Sequence, residues 1–179
     1  RYGRVLAAEY RSEKSKRAYV AVWFEDEQGR GDYFSPEGNS VRRSFLKAPV
    51  KYSRISSRYS KARLHPVLHV RRPHEAVDYA APVGTPVWSV ANGKVVHVGW
   101  SGGLGRTVKV KHSNGYITFY AHLSRFAKGL RVGQQVSQKQ LVGYVGMTGL
   151  ASGPHLDFRI QKNGRFFGPL AVKIEVGEP

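Results

Sequence analysis

The chain has 179 residues, a formal net charge of +17 and no cysteine. Its length allows one large domain, or one domain with a small appendage. Without cysteine, disulfides, thiolate metal ligands and thiol nucleophiles are excluded, so any metal site must use histidine and carboxylates. No segment approaches the roughly 20 consecutive apolar residues of a membrane-spanning helix. The positive charge predicts attraction to polyanions such as nucleic acid, anionic lipid or anionic cell-wall polymers.

The first 50 residues predict a small accessory β-unit. Residues 17–24 alternate in hydrophobicity, residues 28–31 contain two glycines, and residues 32–34 resume a strand-like run. Residues 40–64 are rich in Arg, Lys and Ser, which indicates a basic connector; a solvated surface and a polyanion-binding surface both fit it. We therefore predict an accessory unit over 1–50 and the main domain over 51–179.

Asn-Gly pairs punctuate the main domain. They occur at 92–93, 114–115 and 163–164, each between short runs of strand-forming residues. Asn-Gly suits a type I′ turn, so three hairpins are predicted. Residues 132–136 and 141–146 add two short Gly-punctuated strands, and no segment has a sustained helical period. The predicted fold class is all-β, mainly antiparallel.

Histidine and aspartate recur at spacings that place them together. His155 and Asp157 share one face of a strand, although an ordinary exposed strand face would show the same pattern. His74 and Asp78 converge whether their segment is helical or extended. His122 ends the second hairpin and has the strand parity of Tyr120, so we expect its side chain on the Tyr120 face.

Acidic residues are scarce in the main domain, which makes these aspartates conspicuous. After residue 60 the acidic residues are Glu75, Asp78, Asp157, Glu175 and Glu178. Among the other histidines, His65 could approach the site from the connector. Surface or turn packing is expected for His69, His97 and His112.

These motifs together resemble the lysostaphin/LytM-type zinc metallopeptidases. The resemblance lies in His74-x-x-x-Asp78, the following residues 79–87, residues 120–123 (Tyr-Ala-His-Leu) and residues 146–155. It covers roughly residues 54 to 170. Residues 5–9, 54–59 and 124–133 are similar to the subgroup that contains the murein endopeptidase MepM. The resemblance implies a LytM-type β-sheet sandwich with a groove.

The resemblance also implies residue roles. His74 and Asp78 would bind Zn²⁺, with a third ligand at position 157, while His122 and His155 would orient the attacking water, move its proton and stabilise the oxyanion. The sequence departs from the family at position 157, where Asp157 replaces a ligand histidine. Ala76 stands where glycine is usual, a small steric change.

The Asp157 replacement predicts an altered metal site. Two carboxylates and one imidazole cancel the charge of a divalent ion, so the metal should be a weaker Lewis acid, and Mn²⁺ should be tolerated. We expect an active endopeptidase that hydrolyses peptide cross-links of peptidoglycan. The alternative is a catalytically impaired relative that binds peptidoglycan or activates a partner hydrolase, which Asp157 would favour.

The expected partners are peptidoglycan peptide stems and anionic envelope polymers. Specific nucleic-acid binding would explain the charge but not the histidine and aspartate motifs. From the peptidoglycan endopeptidase function we expect a periplasmic or envelope-associated protein. The chain begins at Arg1 without an apolar leader, so an export signal, if one existed, has been removed. In the similar subgroup, N-terminal domains can cover the groove, so the accessory unit is expected to act as a lid or a docking unit.

Overall fold

A computed structural model describes residues 4–12, 17–25, 27, 29, 31–36, 46, 48–64, 71–112 and 115–170. The chain divides into two compact units, one of Arg1–Ser44 with Ile174–Pro179 and one of Phe45–Lys173. Over the described residues the structure is built from strands, with one 3₁₀ turn at Gly102–Leu104. The predicted all-β, mainly antiparallel fold class is therefore confirmed. No helix of the described residues is long and apolar enough to cross a membrane.

The smaller unit holds a three-stranded antiparallel sheet of β1 (Ala7–Ser12), β2 (Arg17–Glu25) and β3 (Gly31–Phe34), in that order. The predicted pair β2 and β3 is present, and β1 is an additional strand. Trp23 packs edge-on against Tyr33, with ring centroids 5.1 Å apart, and the Arg4 guanidinium lies over the Trp23 ring.

The larger unit contains a two-stranded ribbon and a ten-stranded sheet. The ribbon pairs β5 (Ser60–Leu64) with β6 (Arg71–His74). The sheet consists of β4 (Arg54–Ser57), β7 (Val77–Ala80), β8 (Pro86–Trp88), β9 (Gly93–Trp100), β10 (Arg106–Lys111), β11 (Tyr116–Phe126), β12 (Gln135–Val136), β13 (Leu141–Val145), β14 (His155–Lys162) and β15 (Arg165–Phe167).

The main path of this sheet runs β12-β9-β10-β11-β14-β7-β4. Strand β13 also pairs with β11 and β8, and β15 pairs with β14. Every named pairing is antiparallel. The central strands β11, β14 and β7 therefore lie side by side, and they carry most of the candidate site residues.

The three Asn-Gly predictions have different outcomes. The Asn163–Gly164 turn joins paired β14 and β15 with φ of 50° and 76°, as a type I′ turn requires. Strands β10 and β11 also form the predicted hairpin, but its Asn114 lies outside the described residues. The hairpin predicted at Asn92–Gly93 is wrong, because β8 pairs with β13 while β9 pairs with β10 and β12.

One face of the sheet forms the hydrophobic core. On β14 the buried apolar residues alternate with the site residues, because successive side chains on a strand point to opposite faces. The core is rich in valine, which suits strands buried on one face. Its fully buried members of larger volume are Val77, Tyr79, Val87, Val90, Val95, Val108, Val110, Tyr120, Leu123, Val142, Val145 and Leu156.

Candidate active site

Three predicted metal ligands converge on the sheet face opposite the core. His74, Asp78 and Asp157 each offer a ligand atom, and these atoms all lie within 4.8 Å of one another. Asp78 on β7 is directly opposite Asp157 on β14 in the antiparallel register. His74 ends β6, and its Nε2 lies 3.1 Å from Asp78 Oδ1. The strand pairing therefore brings two carboxylates together that are far apart in the sequence.

The chemistry of these donors fits a divalent cation. The Nδ1 atom of His74 lies 3.0 Å from the carbonyl oxygen of Arg58. Because a carbonyl only accepts hydrogen bonds, Nδ1 carries the proton, and in the neutral ring Nε2 presents its lone pair toward the carboxylates. Asp78 is 6% exposed and Asp157 3%. Buried carboxylates need a cation or donors nearby, so this group can bind a metal ion.

His122 and His155 stand beside this group and line the same cleft. Their ring centroids are 4.8 Å apart. The cleft is about 550 Å³ in volume, and most of the side chains that line it are polar. Its wall residues are Ser56, Ser57, Pro73, His74, Asp78, Gly103, Leu104, His122, Leu150, Ser152, His155, Asp157 and Arg159. All five predicted site residues therefore share one cleft.

The predicted orientation of His122 is wrong. Tyr120 is fully buried in the core, whereas Ala121 pairs with Asp157 on the site face. A regular strand would therefore point His122 into the core with Tyr120. His122 instead has a left-handed φ of 59°, and the pairing of β10 with β11 shifts register between Arg106 and Val108, opposite this position. This bulge turns the imidazole into the cleft.

Backbone carbonyls also fix the protonation pattern of these two imidazoles. Nδ1 of His122 donates to the carbonyl oxygen of Thr148 at 2.6 Å, and Nδ1 of His155 donates to that of Gly153 at 2.8 Å. In the neutral rings, Nε2 is then the unprotonated nitrogen. Burial lowers the pKa of His122, while the charge of Asp157 opposes this shift. The lowered pKa favours the neutral form of His122, in which Nε2 carries a lone pair.

Two glycines let the segment that orients His122 approach closely. Gly105 has φ of 63°, and a Cβ atom at this position would overlap the backbone of Thr148. Gly149 has φ of 76°, and a Cβ atom there would overlap the carbonyl oxygen of Gly103. The carbonyl that accepts from His122 is thus held in place by backbone-to-backbone contact that only glycine permits.

Arg159 is a site residue that the sequence prediction missed. Its Nε donates to Asp157 Oδ1 and one terminal nitrogen donates to Asp157 Oδ2, both at 2.7 Å. Burial lowers the pKa of Arg159, but the hydrogen bond and charge of Asp157 outweigh this and the net pKa is raised. The signal was present in the sequence, because residues 157 and 159 share one face of a strand.

The remaining histidines lie away from this cleft or outside the described residues. The latter group comprises His65 and His69. His112 is buried beside the turn between β10 and β11, where Nδ1 donates to Asn92 and Nε2 lies 2.9 Å from Thr118 Oγ1. His97 lies on β9, where it is opposite Lys109 of β10.

Comparison with known families decides the relationship. The model of peptidase family M23 matches residues 72–169, more than half of the chain and all five predicted site residues. The chain belongs to peptidase family M23. This confirms the resemblance to lysostaphin/LytM-type peptidases, while the finer similarity to the MepM subgroup stays a prediction.

The relatives of this M23 chain include proteins named as peptidoglycan endopeptidases. It is 34% identical over 172 residues to the peptidoglycan DD-endopeptidase ShyC of Vibrio cholerae, covering 96% of this chain and 38% of ShyC. Among solved structures, a zinc-containing peptidase from Vibrio cholerae matches with a TM-score of 0.68 and 32% identity, covering 93% of this chain and 49% of that one.

The catalytic domain of lysostaphin from Staphylococcus simulans is a second structural neighbour. It matches with a TM-score of 0.58 and 29% identity, covering 65% of this M23 chain and 89% of the lysostaphin domain. The chain spans less than half the length of the ShyC protein and of the Vibrio structure.

Proposed function

We propose that this chain is a zinc-dependent endopeptidase that hydrolyses peptide cross-links of peptidoglycan, with His74, Asp78 and Asp157 as metal ligands. The observation that carries the proposal is the convergence of this triad with His122 and His155 in one cleft. Similarity to ShyC, a peptidoglycan DD-endopeptidase, supports the substrate, and similarity to the zinc-containing Vibrio peptidase supports the metal. Mn²⁺ is an alternative occupant, because carboxylates suit it.

The bound metal would act as a Lewis acid on the peptide carbonyl and on water. The protein residues supply the remaining chemistry. His122 and His155 each present an unprotonated Nε2 in the neutral ring, so either can take a proton from the attacking water and return it to the leaving amine. Protonated imidazole is also a donor that can stabilise the oxyanion of the tetrahedral intermediate.

The DD-endopeptidase name of ShyC favours cleavage at D-alanine in a cross-link. With such a substrate the protein would act in the periplasm or the cell envelope. The net charge of +17 would hold it against anionic envelope polymers. We propose no specific nucleic-acid partner, because nucleic-acid binding would leave the histidine and aspartate motifs unexplained. Nothing favours the catalytically impaired alternative, because each position of the triad keeps a side chain able to bind metal.

Digestion of cross-linked muropeptides tests this function. The metal-free chain, reloaded with Zn²⁺ or Mn²⁺, is expected to convert cross-linked dimers to monomers, as followed by liquid chromatography and mass spectrometry. A chelator or His74→Ala should abolish conversion, whereas His97→Ala, outside the cleft, should keep it. The proposal would be overturned if the cross-links stayed intact with both metals from mildly acidic to alkaline pH.

A further inference from the structure

The Asp157–Arg159 pair has a geometry that bears on how Asp157 can serve a metal. The guanidinium reaches both carboxylate oxygens through two separate N–H groups. The carboxylate side chain is 4% exposed and the arginine side chain 20% exposed, so water screens the pair only weakly. Such fork-to-fork pairs combine two charge-assisted hydrogen bonds with a fixed geometry.

The first consequence of this pair concerns charge. His74 is neutral as a ligand, Asp78 and Asp157 contribute one negative charge each, and Arg159 contributes one positive charge. The four residues therefore sum to a single negative charge, which is also the sum for two imidazoles and one carboxylate. The weaker Lewis acid expected from Asp157 alone does not follow once Arg159 is counted.

The second consequence concerns geometry. A carboxylate that binds a cation side-on uses both oxygens along its outer edge, and the arginine fork takes that edge. Asp157 is left with the lone pairs on its flanks, so it can offer a cation one oxygen at a time, as an imidazole offers one nitrogen. Large or oxygen-preferring cations benefit most from side-on carboxylates.

We propose that Asp157 and Arg159 act as one unit in the place of the third metal ligand, with Arg159 as a positioning residue. It offsets the charge of Asp157 and restricts the carboxylate to single-oxygen coordination. The inference rests on the proposed metallopeptidase function. It implies that restoring a histidine at position 157 alone harms the site, because the buried Arg159 then lies beside a cation without its carboxylate partner.

A set of variants measured by metal binding tests the unit. The probes are Zn²⁺ and Mn²⁺, titrated into the metal-free full chain against a chromogenic chelator. We expect Asp157→His to weaken Zn²⁺ binding about 10- to 100-fold, the usual range for loss of an outer partner. The double variant Asp157→His/Arg159→Gln should recover to within about threefold of wild type, since the unpaired guanidinium is gone.

Arg159→Gln and Arg159→Lys separate the effect of the arginine charge on metal binding from the effect of its two-point contact with Asp157. They also provide a test if Asp157→His does not fold. Both lose the fork, so the preference for Zn²⁺ over Mn²⁺ should fall about tenfold or more in each. Only Arg159→Lys keeps the positive charge. Arg125→Gln is the matched control, because Arg125 lies over the Tyr144 ring outside the cleft and its loss removes the same charge.

The outcomes separate this inference from the function on which it rests. If wild type binds neither metal, the proposed metallopeptidase fails. Two results together would show that Arg159 has no part in the metal site of a zinc-binding wild type. Asp157→His would bind zinc as tightly as wild type, and Arg159→Gln would prefer Zn²⁺ over Mn²⁺ to the same degree as Arg125→Gln. Additive effects of Asp157→His and Arg159→Gln would equally overturn the unit, because coupled residues deviate from additivity.

Discussion

His122 and His155 lie side by side in the cleft with their ring centroids 4.8 Å apart, and each is oriented by a backbone carbonyl. A bulge in β11 orients the imidazole of His122, whereas His155 is the first residue of β14. Neither belongs to the candidate ligand triad. In the proposed mechanism this pair would transfer protons, and the triad would hold the metal.

Alanine substitution of either histidine should separate these two tasks. We expect His122→Ala and His155→Ala to lower kcat/KM on cross-linked muropeptides by about 10² to 10⁴, the usual contribution of a general acid or base. Zinc content per chain, measured by elemental analysis, should stay at the wild-type value. Zinc lost from either variant would instead make that histidine a ligand.

Gly105 should be essential for holding the carbonyl that orients His122. In Gly105→Ala the new methyl group overlaps the Thr148 backbone, so the loop must shift and His122 loses its partner. We expect a fall in kcat of at least about tenfold, because small displacements of a catalytic group are costly. Gly102→Ala is the control: its φ is 51°, but apart from its chain neighbours no described residue lies within 4 Å of the added Cβ.

Gly102→Ala should carry only the cost of a left-handed alanine, about 1–2 kcal/mol of unfolding free energy. Its kcat should remain near that of wild type. Equal losses of kcat in the two variants would show that strain, and not contact with Thr148, is responsible.

Two buried tyrosines form a matched pair for stability measurements. Tyr79 is 1% exposed and Tyr120 is 0% exposed. The Tyr79 hydroxyl has no hydrogen-bond partner among the described residues, whereas that of Tyr120 accepts from the Val90 amide and contacts Thr118 Oγ1. Burial, together with Tyr52, raises the pKa of Tyr79 to about 12, so it stays neutral.

Removing these hydroxyls should therefore have opposite effects. Tyr79→Phe should leave the free energy of unfolding unchanged or raise it by about 1 kcal/mol, since an unpaired buried hydroxyl is costly. Tyr120→Phe should lower it by about 1–3 kcal/mol, because the Val90 amide loses its acceptor. Urea denaturation measures both, and a large loss in Tyr79→Phe would contradict the assignment.

His112 should make stability depend on pH. Burial lowers its pKa from the usual 6.5, opposed by the hydrogen bond to Asn92. Below about pH 6.5 the unfolded chain binds a proton at this residue that the folded chain does not, so protonation favours unfolding. The contribution of His112 is complete above about pH 6.5 and is lost as the pH falls through the folded-state pKa.

Urea denaturation of wild type and His112→Gln over this range isolates the effect. The difference in unfolding free energy between the two should be largest above about pH 6.5 and should shrink as the pH falls. Other titrating groups cancel in the difference. A difference that grows toward acid pH would mean that the folded state favours protonated His112.

The sequence predicted which residues lie together in the cleft better than it predicted the strand partners. Residue parity placed His155 and Asp157 on one face because that relationship is local. The hairpin predicted at Asn92–Gly93 failed because β8 pairs with β13, which is distant in the sequence, and pairing between distant segments leaves no local signal. The orientation of His122 depends on a bulge, whose left-handed φ is rare for histidine and invisible to a strand pattern.

Strand β4 pairs with β7 along the segment that carries Asp78, with Ser57 opposite Asp78 and Ile55 opposite Tyr79. The region that matches the family begins only at residue 72. A fragment that begins at residue 72 would therefore lack β4, and β7 would become an edge strand. Its unpaired backbone amides and carbonyls could then pair with another chain and promote self-association. For recombinant work, the practical start of the folding domain lies upstream of Arg54.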